Sequence, residues 1–274
     1  MSATDFLTKD LVTDTSMWTL AMRLSSGAVD IAMFTDMEDN SLIYRRCLPA
    51  AGTPSVLRAI EDIVYENPLV LSGFRRTFIS IVPEASMMLP AGLPCATDVL
   101  AATLPGDGRE WAVDSAAARN AAIGYCMPSG CSGFIARTFG SDTVVRPHLG
   151  FLASYFITRT QRGRHCRMLA NLRSDGLDII AADGGELVKA VSFKCQSVMD
   201  AAYYILACRS ELNFDDNDSE IIIAGDAAVR AGVMPVVRRF AANVIPAIFP
   251  PRMFRAGRKA MDMPFDLTVA PLCE

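Results

Sequence analysis

Two stretches of the sequence share one pattern: MLANLRSDGLDIIAAD at residues 168–183 and LAMRLSSGAVDIAMFTD at residues 20–36. Setting Asp30 against Asp178 places them 148 residues apart, and the apolar residues on either side then align. Each stretch holds two apolar runs around a short polar turn, which predicts a β-hairpin. The repetition predicts that the chain contains two copies of one structural unit.

The segments after each hairpin agree in kind and order. Each copy continues with an apolar strand, a segment with helical spacing of apolar residues, and a further buried strand. Thr53 and Ser197 are the predicted N-caps of the two helices. Each copy therefore has the order β-β-β-α-β. The segments lie at 41–47, 53–66 and 76–83 in the first copy, and at 186–195, 197–212 and 219–225 in the second.

The remaining segments have no counterpart in the other copy. Between the copies, the sequence predicts helices at 93–103, 128–138 and 148–160, two strands around a turn within 110–128, and a strand at 143–147. After the second copy, we expect a helix at 227–240, although Gly232 and Pro235 interrupt it. The segments 242–250 and 264–272 are predicted strands, the latter returning to a sheet.

The composition and charge of the chain limit the classes of protein to which it can belong. The chain has 274 residues, of which 51% are hydrophobic and 20% charged, which is ample apolar material for a core. The length indicates two domains or one large one. The net charge of −4 gives no general case for nucleic-acid binding. The polar start predicts no secretory signal. The charge-free stretch 121–136 is too short and too interrupted to span a bilayer. We therefore expect a cytoplasmic protein without a membrane partner.

Familiar catalytic and metal-binding motifs are incomplete. The eight cysteines form no CxxC pair, and His148 and His165 are the only histidines, so we expect apolar cysteines rather than zinc ligands. FDDNDSE at 214–220 lacks the glycine of a calcium loop. GCSGF at 130–134 lacks the last glycine of a nucleophile elbow. A packing or capping role is expected for His148. We predict no catalytic residue and no metal ligand.

The duplicated order resembles the actin-like ATPase superfamily, in which each lobe is a ribonuclease-H-like domain. The chain looks like a member of a bacterial family, a domain of unknown function with this duplicated fold, from about residue 14 to 274. CSGFIARTF, EIIIAGDAA and the ending PFDLTVAPLCE carry this resemblance. It implies an α/β fold with two mixed five-stranded sheets and flanking helices. The implied lobes are 14–150 and 151–274, with a C-terminal tail that can pack back on the first lobe.

The resemblance also implies a place for ATP. In the superfamily, the first hairpin turn of each lobe faces a shared cleft and holds phosphates through backbone N–H groups. A glycine-rich strand end in the second lobe holds the nucleoside. The resemblance therefore implies seven candidate cleft residues in this sequence, which are Ser25, Ser26, Gly27, Ser174, Asp175, Gly176 and Gly225.

The sequence departs from the superfamily where the metal would be held. An aspartate is expected at the end of each first strand, but Arg23 and Asn171 stand near those ends. Gly225 is followed by Asp226 rather than a second glycine. Magnesium is held by carboxylates together with phosphates, so losing the carboxylates removes the metal. We expect a degenerate nucleotide site without a cofactor. Weak ATP–Mg binding, with slow hydrolysis through Asp175 or Asp178, is the alternative.

Asp30 and Asp178 lie inside predicted strands, in register with one another. A pair of carboxylates facing the cleft is one interpretation. The alternation of a half-exposed hairpin is the other, and it predicts that both side chains lie on the solvent face.

Basic residues cluster after the second copy. Residues 227–259 contain seven basic residues and no acidic ones. The interpretations are a solvated basic face, or a docking surface for an acidic protein or for RNA. FPPRMF at 249–254 adds apolar groups beside this charge. We expect a protein partner, with RNA as the alternative. The predicted partner-binding residues are Arg238, Arg239, Arg252 and Arg255; a second basic group comprises Arg159, Arg162, Arg164, Arg167 and Arg173.

Overall fold

The computed structural model describes residues 7–8, 11–105, 108–160, 166–215 and 218–273. It contains two five-stranded sheets with the same strand order, and a smaller three-stranded sheet. Both large sheets mix parallel and antiparallel pairs and are flanked by helices. The predicted fold class is confirmed. No helix within the described residues is both long and apolar enough to cross a membrane.

The first sheet has the strand order β3-β2-β1-β4-β8. Its first three strands form an antiparallel meander, and a helix then returns the chain so that β4 pairs parallel to β1. The edge strand β8 pairs parallel to β4. The elements are β1 (Thr19–Leu24), β2 (Val29–Phe34), β3 (Ile43–Cys47), α1 (Val56–Glu66), β4 (Arg76–Ile81) and β8 (Val144–Pro147).

The second sheet repeats this layout as β11-β10-β9-β12-β13. Its antiparallel hairpins and its parallel β9–β12 and β12–β13 pairs occupy the same relative positions as in the first sheet. The two copies inferred from the sequence therefore share one topology. The elements are β9 (Cys166–Arg173), β10 (Gly176–Asp183), β11 (Glu186–Lys194), α5 (Val198–Glu211), β12 (Ser219–Gly225), α6 (Ala227–Val237) and β13 (Val244–Pro246).

The chain between β4 and β8 forms an inserted antiparallel sheet of order β5-β7-β6. The sequence predicts its helices and its last two strands, but not the first strand. After β8, helix α4 (His148–Thr160) contacts strands of both large sheets. The inserted elements are β5 (Ser86–Pro90), α2 (Ala96–Thr103), β6 (Arg109–Asp114), β7 (Ala121–Pro128) and α3 (Cys131–Phe139).

The two predicted helix caps have different outcomes. Ser197 caps α5, as predicted, and it also forms a capping box with Asp200. Thr53 does not cap α1, because its hydroxyl donates to the carbonyl of Ala50 in the preceding turn. Ser55 takes the role instead, accepting the backbone N–H of Arg58 at 3.2 Å.

The strand predicted at 264–272 is wrong, because this segment is helical. The short helices α7 (Pro251–Phe254) and α8 (Phe265–Val269) follow β13, and a 3-10 turn follows α8. Alternating apolar residues suggest a strand, but Asp266 and Thr268 between them are also buried. When a segment is buried on every side, its apolar and polar residues show no periodicity that distinguishes a helix from a strand.

Residues 263–270 pack on the first lobe. Met263, Leu267 and Ala270 join a buried cluster with Phe78 of β4 and Phe151 of α4. The predicted division at residues 150 and 151 falls inside α4, whose apolar side chains serve both lobes. Whether 14–150 and 151–274 are separate units stays a prediction.

We expect Ser197→Ala to lower the free energy of unfolding by about 1 kcal/mol, because it removes the capping box of α5. Urea denaturation followed by circular dichroism measures the change. Thr53→Ala is the matched control, and we expect an effect within about 0.5 kcal/mol because Thr53 caps no helix. Equal losses for the two variants would contradict this assignment of the caps.

Candidate functional site

A cleft of about 750 Å³ lies between the two lobes. One wall is the β1–β2 turn with the residues after β4, and the other is the β9–β10 turn with the end of β12. Residues 261–266 form a further side. The two hairpin turns thus meet at one cleft, which is the geometry that the resemblance implies.

Six of the seven predicted cleft residues line this space; they are Ser25, Ser26, Gly27, Ser174, Asp175 and Gly225. Gly176 is buried behind the turn instead, where an added Cβ would lie 2.6 Å from the Phe193 carbonyl oxygen. That these residues hold a ligand stays a prediction.

The first hairpin turn uses its own polar groups. The Ser25 N–H donates to the Ala28 carbonyl at 3.0 Å, and the Ala28 N–H donates to the Ser25 hydroxyl oxygen at 3.1 Å. Only Ser26 and Gly27 then lie outside the hydrogen-bonded pairing of the β1–β2 hairpin, and both residues are exposed. A turn this short presents little of the backbone N–H concavity that binds phosphates.

A buried ion-pair cluster in the first lobe centres on Arg23 of β1. Its guanidinium contacts Asp30 Oδ2 at 3.3 Å and Asp266 Oδ2 at 3.1 Å. Tyr44 donates to Asp30 at 2.9 Å, and Ser80 donates to Asp266 at 2.9 Å. Burial alone would lower the pKa of Arg23, but the Asp266 and Asp30 carboxylates outweigh burial and raise that pKa. Arg23 is therefore a fixed cation.

A second cluster surrounds Asp178 of β10. Its Oδ1 lies 3.0 Å from His148 Nε2 and accepts the Ser192 hydroxyl at 2.7 Å. Its Oδ2 accepts the Asn171 amide at 2.9 Å. Arg173 Nε is 3.3 Å from the same oxygen, at an angle that makes no hydrogen bond. Burial raises the pKa of Asp178, but His148 and Arg173 outweigh burial and lower that pKa.

His148 connects the lobes through this second cluster. Its Nδ1 lies 3.3 Å from the Ile81 carbonyl oxygen of β4, while its Nε2 faces Asp178 of β10. The side chain is buried, in keeping with the expected packing role, and it is also a polar bridge between the two sheets.

The prediction that Asp30 and Asp178 lie on the solvent face is wrong, since both residues are 0% exposed. All residues of β2 are buried, and so are all of β10 except its last. Helices or the 263–270 segment cover both faces of the hairpins. Successive side chains still point to opposite faces of the sheet, but neither face is exposed to solvent. The two carboxylates also occupy matched positions, since Asp30 pairs across the ladder with Arg23 and Asp178 with Asn171.

The residues of the cleft do not fit magnesium and ATP. Arg23 and Asn171 stand at the strand ends, and the nearby carboxylates of Asp30, Asp178 and Asp266 already accept hydrogen bonds from protein groups. Magnesium would have to compete with the Arg23 guanidinium at Asp30 and Asp266, and with donated hydrogen bonds at Asp178. Within the described residues, no group of three His, Cys, Asp or Glu side chains is placed to hold a metal.

Gly225 and Asp226 have structural roles at the position expected for the nucleoside. Gly225 has φ +91°, and an added Cβ would lie 1.9 Å from the Leu172 carbonyl oxygen of β9. Asp226 caps α6 by accepting the N–H groups of Ala228 and Val229. Close strand packing therefore accounts for the glycine, and helix capping accounts for the aspartate.

The predicted partner-binding arginines lie against different lobes. Arg238 donates two hydrogen bonds to the Val244 carbonyl at the edge of the second sheet. Arg255 binds Asp39 of the first lobe at 3.0 Å. Arg239 and Arg252 are exposed. Arg238 and Arg255 therefore have partners within the protein, whereas Arg239 and Arg252 present exposed side chains.

The second arginine group is largely committed to internal contacts. Arg159 lies 4.1 Å from the ring centre of Tyr155, Arg167 pairs with Glu220, and Arg173 belongs to the Asp178 cluster. Arg162 and Arg164 lie outside the described residues.

Sequence reasoning missed Tyr44, Ser80, Ser192 and Asp266 as members of these clusters. Tyr44 and Ser192 lie 148 residues apart, which is the offset between the two copies. Aligning the copies therefore places these two polar residues at equivalent positions and could have indicated both. Asp266 carried none, because it lies 243 residues from Arg23.

Comparison with known proteins agrees with this architecture. Residues 10–244 match a family described as "Protein of unknown function (DUF3822)". The chain belongs to this family. A Bacteroides thetaiotaomicron protein, described as having an actin-like ATPase fold and unknown function, is 18% identical to this DUF3822 chain. Its TM-score is 0.72, with 90% of this chain and 94% of the other covered. Curated proteins yield no significant match.

A second solved structure similar to this DUF3822 chain is described as the PilM–PilN type IV pilus biogenesis complex. The identity is 9% and the TM-score is 0.53, with 93% of this chain and 98% of the other covered. At these identities the similarity establishes the actin-like fold.

We expect Asp178→Asn to lower the free energy of unfolding by about 3–5 kcal/mol at neutral pH, because it leaves the Arg173 guanidinium without its buried counter-charge and disrupts the hydrogen bonds that Asp178 accepts. Urea denaturation measures the loss. Asp175→Asn changes an exposed carboxylate of the same hairpin, and we expect an effect within about 1 kcal/mol.

The loss should also depend on pH. The folded-state pKa of Asp178 lies below its unfolded value, so the stability it contributes is present above about pH 4 and is lost as the pH falls further. The gap in stability between wild type and Asp178→Asn should therefore narrow between pH 5 and pH 2.5. A gap that stays constant over this range would contradict the assignment.

Proposed function

We propose that this protein is a non-catalytic binding protein that keeps the two-lobed actin-like frame and has replaced a magnesium–nucleotide centre with internal ion pairs. The observation that carries this proposal is Arg23, which stands at the end of β1 and is held by Asp30 and Asp266. Phosphoryl transfer depends on positioning and on a metal that neutralises developing charge. A buried guanidinium at this place binds the protein's own carboxylates instead.

The ion pairs are also part of the fold, which supports a structural rather than a catalytic role. Asp266 is 0% exposed and joins the 263–270 segment to β1 and, through Ser80, to β4. Removing either partner of a buried pair leaves an uncompensated charge. Arg23 therefore cannot swing aside for a metal without weakening the contact between that segment and the first lobe.

The basic region beyond β12 supports a protein partner. Residues 227–259 carry seven basic residues and no acidic ones, on a chain whose net charge is −4. Large apolar side chains are exposed in the same region, namely Phe240, Ile245, Ile248 and Phe254. Apolar side chains rimmed by cations suit an acidic protein surface, whereas charge alone would suffice for RNA. The pilus complex similar to this chain offers a precedent for the fold in a protein assembly.

Titration with ATP and magnesium tests the loss of the nucleotide site. We expect no change in melting temperature up to millimolar ATP, because Arg23 and Asn171 occupy the metal positions. A ligand at 100 times its Kd would add about 2.7 kcal/mol to the free energy of unfolding, which a thermal-shift assay detects. A saturable rise that requires magnesium would favour the alternative of an ATP-binding protein.

Charge reversal tests the partner surface. We expect Arg239→Glu combined with Arg252→Glu to abolish co-purification of the protein's partner, because both side chains are exposed on the basic region. Affinity purification with quantitative mass spectrometry measures this loss. Arg137→Glu, an exposed residue of α3, is a control of the same kind on the first lobe. A partner that survives the double variant contradicts the surface, and one that disappears after ribonuclease treatment indicates RNA.

A further inference from the structure

A second cavity, of about 370 Å³, lies in the first lobe beside the interlobe cleft. It lies between the ends of β1 and β4, the start of α1 and the inserted strands β6 and β7. β1 and β4 run parallel and end at Leu24 and Ile81, both of which line the cavity. Ligands of open α/β sheets bind at the carboxyl ends of such strands. The cavity therefore lies where this kind of sheet commonly holds a ligand.

The cavity is larger than the spaces that imperfect packing usually leaves. Protein interiors are close-packed and contain few voids larger than a water molecule. An apolar cavity of roughly 150 Å³ is enough to bind one benzene molecule. At 370 Å³, this cavity has room for a hydrocarbon group about twice the size of benzene.

The lining of this cavity is predominantly apolar. Of the 18 residues that line it, nine are valine, leucine, isoleucine, methionine or proline, and two are cysteines. Burial raises the pKa of one of these cysteines, Cys131, to about 11, so its thiol is uncharged at neutral pH. Ligand pockets in proteins are lined in this way, by apolar side chains with a few polar groups among them. The lining therefore suits a hydrocarbon group.

The two charged residues of the lining neutralise each other. Arg109 of β6 forms an ion pair with Glu84, which follows β4. The Arg109 guanidinium also donates to the Pro105 carbonyl at 3.3 Å. Burying an ion without a partner costs far more than burying a neutral group. A neutral ligand therefore fits this lining better than an anion or a cation.

The hydroxyl groups of the lining favour a small molecule over a peptide. Ser25 Oγ donates to the Ala28 carbonyl at 2.8 Å, and Ser55 Oγ accepts the Arg58 N–H at 3.2 Å. A peptide brings an N–H and a C=O group with each residue, and these groups need partners when they leave water. Because these two hydroxyls and both charged side chains are already engaged, the lining keeps few polar side chains for a peptide backbone.

We propose that this cavity binds the hydrocarbon part of a small neutral molecule, an alkyl chain or a ring system up to about twice the size of benzene. Its apolar body lies against the side chains at the ends of β1 and β4 and at the start of α1. Its polar end reaches the interlobe cleft, which shares five lining residues with the cavity. The inference goes beyond the proposed partner binding and does not depend on it, because Arg239 and Arg252 are not among the lining residues.

Calorimetric titration with straight-chain alcohols from 1-butanol to 1-nonanol tests the apolar character of the site. We expect one molecule to bind per chain, with an affinity that rises about three- to fourfold for each added methylene, because each methylene is removed from water. 1-Octanol should bind several-fold more tightly than octanoate or octylammonium, because the lining has no free counter-charge for either ion. An affinity that does not change along the series, or a preference for either ion, would overturn the proposal.

A variant that fills part of the cavity tests the location. Val56 lines the cavity at the start of α1 and is half-buried, so Val56→Trp places a ring inside this space. We expect this variant to keep its affinity for the short alcohols and to stop gaining affinity at a shorter chain than the wild type does. Val99→Trp, at an exposed valine of α2 outside the lining, is the matched control and should behave as the wild type. A loss by the same factor at every chain length, or no loss, would overturn the location.

A matched pair of probes separates a small molecule from a peptide. N-acetyl-leucinamide carries the leucine side chain on a blocked peptide unit, and 3-methyl-1-butanol carries the same branched group without it. We expect the alcohol to bind more tightly, because the peptide unit finds few partners in the lining. Tighter binding of the peptide analogue would assign the cavity to a peptide and overturn the proposal. None of these outcomes bears on the partner surface, which is tested by the charge-reversed arginines.

Discussion

The structure depends on burying two carboxylates, Asp30 and Asp178, at matched positions of the duplicated hairpin. An ionised carboxylate away from water is tolerated only when cations and donors surround it. Arg23 and Tyr44 meet this demand in the first lobe, while His148, Asn171, Arg173 and Ser192 meet it in the second. Because Arg23 also binds Asp266, and His148 also contacts the Ile81 carbonyl, the groups around these carboxylates tie the hairpins to the 263–270 segment and to β4.

This arrangement explains how an actin-like frame can persist without its usual chemistry. The frame needs buried strands, helices on both faces and a cleft at the hairpin turns, and all of these are present. Nucleotide chemistry needs exposed carboxylates at the same strand ends. Here the carboxylates of Asp30 and Asp178 lie on the neighbouring strands β2 and β10 and are buried. The polar groups around them hold the two lobes together.

Sequence patterns predicted the framework well because hairpins and caps are local. The polar turns, the repeat offset and Ser197 each signal structure within a few residues. Three features escaped prediction for physical reasons. The strands that hold Asp30 and Asp178 are buried on both faces, so their sequences do not show which side chains are exposed. Helix α8 is buried on all sides, so its sequence lacks the spacing of apolar residues that indicates a helix. The third, the contact between Arg23 and Asp266, joins residues 243 positions apart and leaves no local trace.

The position of α8 sets the order in which the protein can be completed. The first lobe leaves the ribosome early, but part of its core is supplied by Leu267 and Ala270, which are translated more than a hundred residues after α4. Until they arrive, the cluster that contains Phe78 and Phe151 lacks part of its packing, and exposed apolar surface of this kind promotes aggregation of nascent chains. The lobe that is made first is therefore finished last, and its maturation is bound to that of the lobe that follows it.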